Sequence, residues 1–141
     1  MKTAAPMYGT RQHFFLAQSR SVRLAREFAV AVLAEWRIGG RAQDVRLCVS
    51  ELASNAIAHG SRRGHGFLVR LTYGDGLLRV EVHDSRGRGE GGEPRVCSPG
   101  KGDVRGRGLL IVAAVADRWG VEGREPLGKV VWAEFRGARE R

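Results

Sequence analysis

Glu51, Asn55 and His59 follow one another at four-residue intervals. A helix through them would carry all three along one side, each about 6 Å of rise from the next. The residue types suit chemistry on a metal-bound phosphate. An amide oxygen is a hard ligand of the kind Mg takes, and a carboxylate can accept a proton or orient water. The same spacing is also what an ordinary solvated helix face shows, and taken alone it favours that plainer reading. Asp84 ends the alternating segment VEVHD. Its carboxylate could accept a hydrogen bond from the amino group of a buried ring such as adenine, although aspartate is also a common strand-ending turn residue. Gly106-Arg107-Gly108 stands just ahead of an apolar run. Glycines there would let a phosphate approach the backbone, and a helix N-terminus would add free N–H donors. As a local pattern this is weak, being neither a Walker A loop nor a dinucleotide fingerprint.

Positioning these groups takes a scaffold, and the hydrophobic pattern supplies one. A first strand is expected at 13–18, then a helix over 22–37 with Ser21 as its N-cap. In that helix Val22, Ala25, Phe28, Ala29, Val32, Leu33 and Trp36 recur at helical spacing, and Gly39-Gly40 is expected to stop it. A second helix is expected over 42–58, burying Val45, Cys48, Val49, Leu52 and Ala56. Two strands follow at 67–73 and 77–83, joined by Gly74-Asp75-Gly76 as a hairpin turn. Residues 85–108 are rich in glycine with almost nothing to bury, which marks a long functional or disordered loop. A buried helix at 109–115, a short strand at 121–122 and a strand at 129–135 complete the chain. Trp132 alternates with Val130 and is expected in the core, and Trp119 as a turn residue packed under the loop. The order gives an α+β fold, a two-layer sandwich with helices on one face of a mixed, largely antiparallel sheet.

At 141 residues, 43% of them hydrophobic and 28% charged, the chain has the material for one core and no second domain. Its longest apolar run falls far short of a membrane span, and the N-terminus lacks the pattern of a secretory signal. Cys48 and Cys97 form no CxxC, so free thiols in a reducing, cytoplasmic setting are expected. The net charge of +9 attracts polyanions in principle. All but three of the basic residues are arginines, however, and they are scattered, so a compositional background is the better account than a nucleic-acid patch.

Read in order, SELASNAIAHG, VEVHD, the glycine-rich loop, GRGLLIVAAVADRWG and GKVVWAEF resemble the gyrase and histidine-kinase ATPase superfamily, the Bergerat fold. More narrowly they resemble the small anti-sigma-factor serine kinases, over about residues 14–135. The resemblance implies an ATP-binding domain over 13–136, a flexible segment at 1–12, an ATP lid at about 85–107 and a tail at 137–141. It implies Glu51 as the catalytic or water-orienting carboxylate and Asn55 as the Mg ligand, with His59 in the same box. Asp84 becomes the adenine reader, and Gly106, Gly108 and Leu109 the second glycine box, with Arg105 and Arg107 placed to touch phosphate or a partner. The superfamily's first glycine box commonly runs Asp-x-Gly-x-Gly, whereas here it is Asp84-Ser85-Arg86-Gly87-Arg88. Glycine occupies neither expected position, which leaves nucleotide affinity open. A sensor histidine kinase is not expected, since no phosphoacceptor helix precedes the domain in this sequence.

Three functions follow as expectations. The first is a serine/threonine protein kinase that uses Mg and ATP, regulates transcription by partner switching, acts on an anti-anti-sigma-type (STAS) protein, binds a sigma factor, and has room to form a homodimer. The second is a non-catalytic or degenerate docking module of the same fold. The third, a nucleic-acid binder, has no clustered basic helix face to support it. Membrane association is not expected.

Overall fold

The computed structural model describes residues 9–60, 65–85, 104–123 and 128–137. The chain runs β1 (Gly9–Leu16), α1 (Ser21–Glu35), α2 (Ala42–Asn55), a π-helical turn (Ala56–Gly60), β2 (Gly66–Gly74), β3 (Leu77–Asp84), α3 (Val104–Val115), β4 (Arg118–Gly123) and β5 (Lys129–Arg136). The strands lie in the order β1-β2-β3-β5-β4, and each neighbouring pair is antiparallel. The helices cover one face, giving the two-layer α+β arrangement that the pattern of elements implied.

Strand alternation decides what that face buries. Phe67, Val69, Leu71 and Tyr73 of β2 stand beside Leu78, Val80 and Val82 of β3 and Val131, Ala133 and Phe135 of β5, all buried. Against them pack Ala25, Ala29, Val32 and Leu33 of α1, then Val45, Cys48, Val49, Leu52 and Ala53 of α2, with Leu109 and Val112 of α3. α2 is the central helix, packed on both α1 and α3.

Several boundaries differ from the sequence expectation for physical reasons. β1 begins at Gly9, not at 13, because the long β2 offers a ladder partner to every residue from Gly9 to Leu16. It therefore takes in residues 9–12, which had been expected in a flexible lead. Ser21 is the first residue of α1 and makes no side-chain cap; Arg20 holds the cap position. The same helix stops before Gly39-Gly40. Arg37 takes the left-handed conformation (φ 59°), and Ile38 donates its backbone N–H to the Leu33 carbonyl at 2.8 Å. Arg37 N–H bonds the Ala34 carbonyl, and Ile38 is buried, which together make a Schellman stop closed by an apolar contact. The hairpin turns on Asp75 and Gly76, both with positive φ, as a two-residue type I′ loop requires.

The two tryptophans also fall differently. Trp119 lies within β4, opposite Ala133, and is half-buried against the core, so it is a strand residue and not a turn residue; most of the loop expected to cover it lies outside the described residues. Trp132 is buried, but on the sheet face away from the helices. It lies over Gly120 of β4, where an added Cβ would come within 2.7 Å of the indole. The Arg79 guanidinium stacks 4.4 Å from its ring centroid.

That outer face carries a lattice of paired charges. Arg79 donates to Glu81 at 2.8 Å and to Glu134 at 2.9 Å, Arg70 donates to Glu81 at 3.3 Å, and His83 bonds Glu81 at 2.7 Å. His83, then Arg79, hold the Glu81 carboxyl down to about 2, from an ordinary value of 4.5. A depressed carboxyl contributes stability that is present above its unfolded value and lost as pH falls through its folded one. Thermal melts are therefore expected to drop between about pH 4.5 and pH 2, and a Glu81→Gln protein should show a shallower drop in that window.

Candidate functional site

α2 presents its apolar side to the sheet and to α3, which leaves Glu51 and Asn55 together on a flank one turn apart. Glu51 is half-buried and has no hydrogen-bond or ion-pair partner among the described residues. Its desolvation raises the carboxyl above the ordinary carboxylate range. Beside it, burial and then the charge of Glu51 push the Cys48 thiol up, so that cysteine is an inert core residue. A lone, raised carboxyl is what proton transfer near neutrality asks for.

Asn55 is the last α-helical residue before the chain widens into the π turn. Its Nδ2 is buried and without a hydrogen-bond partner among the described residues. A buried polar atom left unpaired is costly, and in a native protein it calls for an explanation such as a ligand. π turns recur at functional sites. This one also changes the geometry read from the sequence. His59 lies within the π turn, so the second four-residue step is not α-helical and the straight line from Glu51 through Asn55 does not extend to it.

The π turn packs on β2 and β3. Phe67, near the start of β2, stands opposite Asp84, the end of β3, so the chain that leaves α2 rejoins the sheet beside Asp84. Asp84 faces the helix side and is buried. Opposite it in register is Lys129 of β5, also buried, with Nζ 3.0 Å from Oδ2 and 3.2 Å from Oδ1. The carboxylate expected to read a base is thus already gripped by an ammonium. Sequence reasoning missed Lys129; the available signal was one of only three lysines in an arginine-rich chain, set at the start of a strand after Gly128.

α3 begins at Val104, earlier than expected, so Arg105, Gly106 and Arg107 lie in its first turn and Gly108 just beyond it. The backbone N–H groups of Arg105 and Gly106 are among the four that a helix start leaves without internal partners, and those of Arg107 and Gly108 are not. Leu109, the next candidate, is fully buried and anchors the helix in the core. The far end of α3 is tied down by Arg41, which the sequence did not single out. Its guanidinium donates to the Val115 carbonyl at 2.7 Å, to Asp117 at 3.1 Å, to the Arg136 carbonyl at 3.0 Å and to Asp44 at 3.2 Å. It also lies 5.3 Å from the Phe135 ring centroid. One side chain thereby joins the start of α2 to the end of α3, and so fixes the helix carrying Glu51 and Asn55 against the helix carrying the glycines.

The expected lid at 85–107 falls, apart from Ser85 and the first turn of α3, outside the described residues. Two grooves open elsewhere, one of about 450 Å³ between β1 and α1 and one of about 400 Å³ along α1 and α2; neither is lined by Glu51, Asn55 or Asp84. Among the described residues no cluster of three or more His, Cys, Asp or Glu could hold a metal. That donor set fits Mg nonetheless, since Mg keeps several waters and needs few protein ligands when it shares phosphate oxygens. Asn55 would offer Mg its Oδ1, an oxygen ligand of the kind Mg takes, while its unpaired Nδ2 is a donor suited to a phosphate oxygen.

Known proteins place this arrangement. A family model described as the histidine kinase-like ATPase domain matches residues 15–135. The crystal structure of the RsbU and RsbW domains of Rv1364c from Mycobacterium tuberculosis is similar, with a TM-score of 0.68 at 20% identity. The match covers 91% of this chain but only 32% of that one, so the likeness is one of fold, to about a third of a longer protein. No curated protein matches the chain. No described helix is long and apolar enough to cross a membrane. With all but its ends matched by that family model, the chain belongs to the histidine kinase-like ATPase domain family.

Proposed function

We propose that the chain is an Mg-ATP-dependent serine/threonine protein kinase of the anti-sigma-factor kind, acting in the cytoplasm on an anti-anti-sigma-type (STAS) partner and regulating transcription by partner switching. The observation that carries the reading is the pairing on α2 of a raised, unpartnered carboxyl at Glu51 with a buried, orphaned amide at Asn55. Family membership supports nucleotide binding. The motif resemblance to anti-sigma-factor kinases, and a structural neighbour that includes an RsbW domain, support the narrower assignment.

Each residue has a task in this reading. Asn55 would hold Mg through Oδ1, and Mg when bound would neutralise charge on the phosphates. The backbone N–H groups of Arg105 and Gly106 donate to phosphate oxygens at the start of α3, where the helix dipole favours an anion. Arg41 ties down the far end of α3, at the Val115 carbonyl, and joins it to the start of α2. Glu51 takes the proton from the incoming serine hydroxyl onto a carboxylate oxygen as that hydroxyl attacks the γ-phosphorus and the bond from that phosphorus to the bridging oxygen breaks, releasing ADP; its desolvated setting suits it to the exchange. Positioning and electrostatic support, more than covalent chemistry by the protein, supply the catalysis of phosphoryl transfer.

The experiment is transfer of labelled γ-phosphate from ATP to a serine of a STAS-type partner. Label that requires Mg, the partner serine and Glu51 supports the kinase. A partner that binds the chain but takes no label would instead support the second reading, a docking module without catalysis. That alternative draws on one specific observation: Asp84 is engaged by Lys129.

A further inference from the structure

The Asp84–Lys129 pair is costly to build. Both residues are only 4% exposed, and the ammonium sits astride both carboxylate oxygens, at 3.0 and 3.2 Å. A buried ion pair rarely stabilises a fold more than apolar residues of the same shape would, because desolvation of both charges offsets their attraction. Its location calls for a different account. The pair lies on the helix-covered face at the end of β3, in the row that Phe67 also occupies, and Gly123 of β4, opposite Lys129, adds no side chain to that row.

We infer that Lys129 is a specificity-determining residue which makes the base pocket accept 6-amino and 6-oxo purine nucleotides about equally. The inference rests on the nucleotide reading given above, with Asp84 as the base-reading carboxylate. A bare buried carboxylate can only accept hydrogen bonds. It would favour the 6-amino group of adenine and repel the 6-oxo group of hypoxanthine or guanine, since two acceptors would face each other without water. An ammonium on that carboxylate changes both terms. It neutralises the charge that makes an amino-to-carboxylate bond strong, and it supplies N–H donors to a 6-oxo oxygen. The two purine classes then find a partner each, the amine on Asp84 and the carbonyl oxygen on Lys129.

ATP and ITP differ at this position and share the triphosphate, so their ratio reads the pair directly. Both are titrated in Mg against a fluorescent ATP analogue, using the unaltered protein, Lys129→Met and Asp84→Asn, with a thermal melt of each to show that it is folded. The unaltered protein is expected to bind the two within about threefold, since each keeps one hydrogen bond of comparable strength. Lys129→Met should favour ATP by about tenfold or more, the scale on which a charged bond exceeds a neutral one. Asp84→Asn, which leaves the ammonium, should tilt the ratio towards ITP. Where Lys129→Met does not fold, the ratio in the unaltered protein and its tilt in Asp84→Asn still decide the matter. Binding only by Lys129→Met, and not by the unaltered protein, would overturn the inference too, since the ammonium would then mask Asp84 and not read a 6-oxo group. A strong preference of the unaltered protein for ATP, or ratios that do not move in the variants, would overturn the inference and leave the nucleotide site standing. Silence from every folded protein at millimolar ATP and ITP would remove the nucleotide reading and this inference with it.

Discussion

An Asn55→Ala protein is expected to lose Mg-dependent nucleotide binding by roughly 100-fold, the scale lost when even outer partners of a metal site are removed. It should do so without losing stability. The Asn55 amide makes no hydrogen bond to another described residue, so its removal breaks nothing there and relieves a buried, unpaired Nδ2. Alanine is also the better helix former by a few tenths of a kcal/mol. Weaker binding joined to an unchanged or raised melting temperature is the signature of a group held for a ligand. A structural asparagine would show the opposite, a falling melting temperature with affinity intact. The measurement pairs a nucleotide titration, with and without Mg, with a thermal melt of the same preparation.

Glu51→Gln should reduce phosphoryl transfer by about 10²–10⁴-fold while changing nucleotide affinity little, the loss typical of a missing general base. The glutamine keeps size and polarity but cannot take a proton. Its effect on stability has a sign that can be worked out. Burial raises the Glu51 carboxyl, so the folded protein holds that proton more tightly than the unfolded chain does. Stability from this group is then greatest below the ordinary glutamate value of 4.5 and declines as pH rises through the raised folded value. At neutral pH the glutamine variant should be more stable, by no more than about 1 kcal/mol at a half-exposed site, and near pH 4 the difference should vanish. Melts of both proteins at the two pH values check this. A glutamine variant that transfers phosphate at the original rate would remove Glu51 from the mechanism.

Much of this architecture was legible in the sequence because it rests on periodicity. The alternation of Phe67, Val69, Leu71 and Tyr73, and that of Leu78, Val80 and Val82, is local, strong and unambiguous about which face is buried. The helical spacing of Val45, Cys48, Val49 and Leu52 likewise fixed the face on which Glu51 and Asn55 could not lie. What escaped notice depends on partners distant in sequence. Residues 9–12 join a strand because β2 offers them hydrogen bonds, though Thr10, Arg11 and Gln12 show no apolar alternation. The stop of α1 at Arg37 is a backbone conformation that glycines two residues later obscured. Trp132 read as core from its alternation with Val130, but on a strand that is buried across both faces alternation says nothing about which layer a side chain joins. Arg41 and Lys129 were invisible for a related reason: an arginine meeting groups some 70 to 95 residues away and a lysine meeting an aspartate 45 residues away leave no local pattern.

The candidate site divides in the same way. Glu51 and Asn55 were readable because one helical turn brings them together. His59 was not, because the change from α to π geometry at Ala56 is set by how the chain rejoins the sheet and not by residue type. The role of Asp84 is where sequence and structure pull hardest against each other. The motif order marks it as a base reader, and the fold gives it a buried cation as partner.

Calorimetric titration of the unaltered protein with ATP, in Mg and again with the metal chelated, tests the central claim most directly. Saturable one-to-one binding that depends on Mg is expected. No binding up to millimolar ATP, or binding indifferent to Mg, would contradict the role given to Asn55 and with it the kinase.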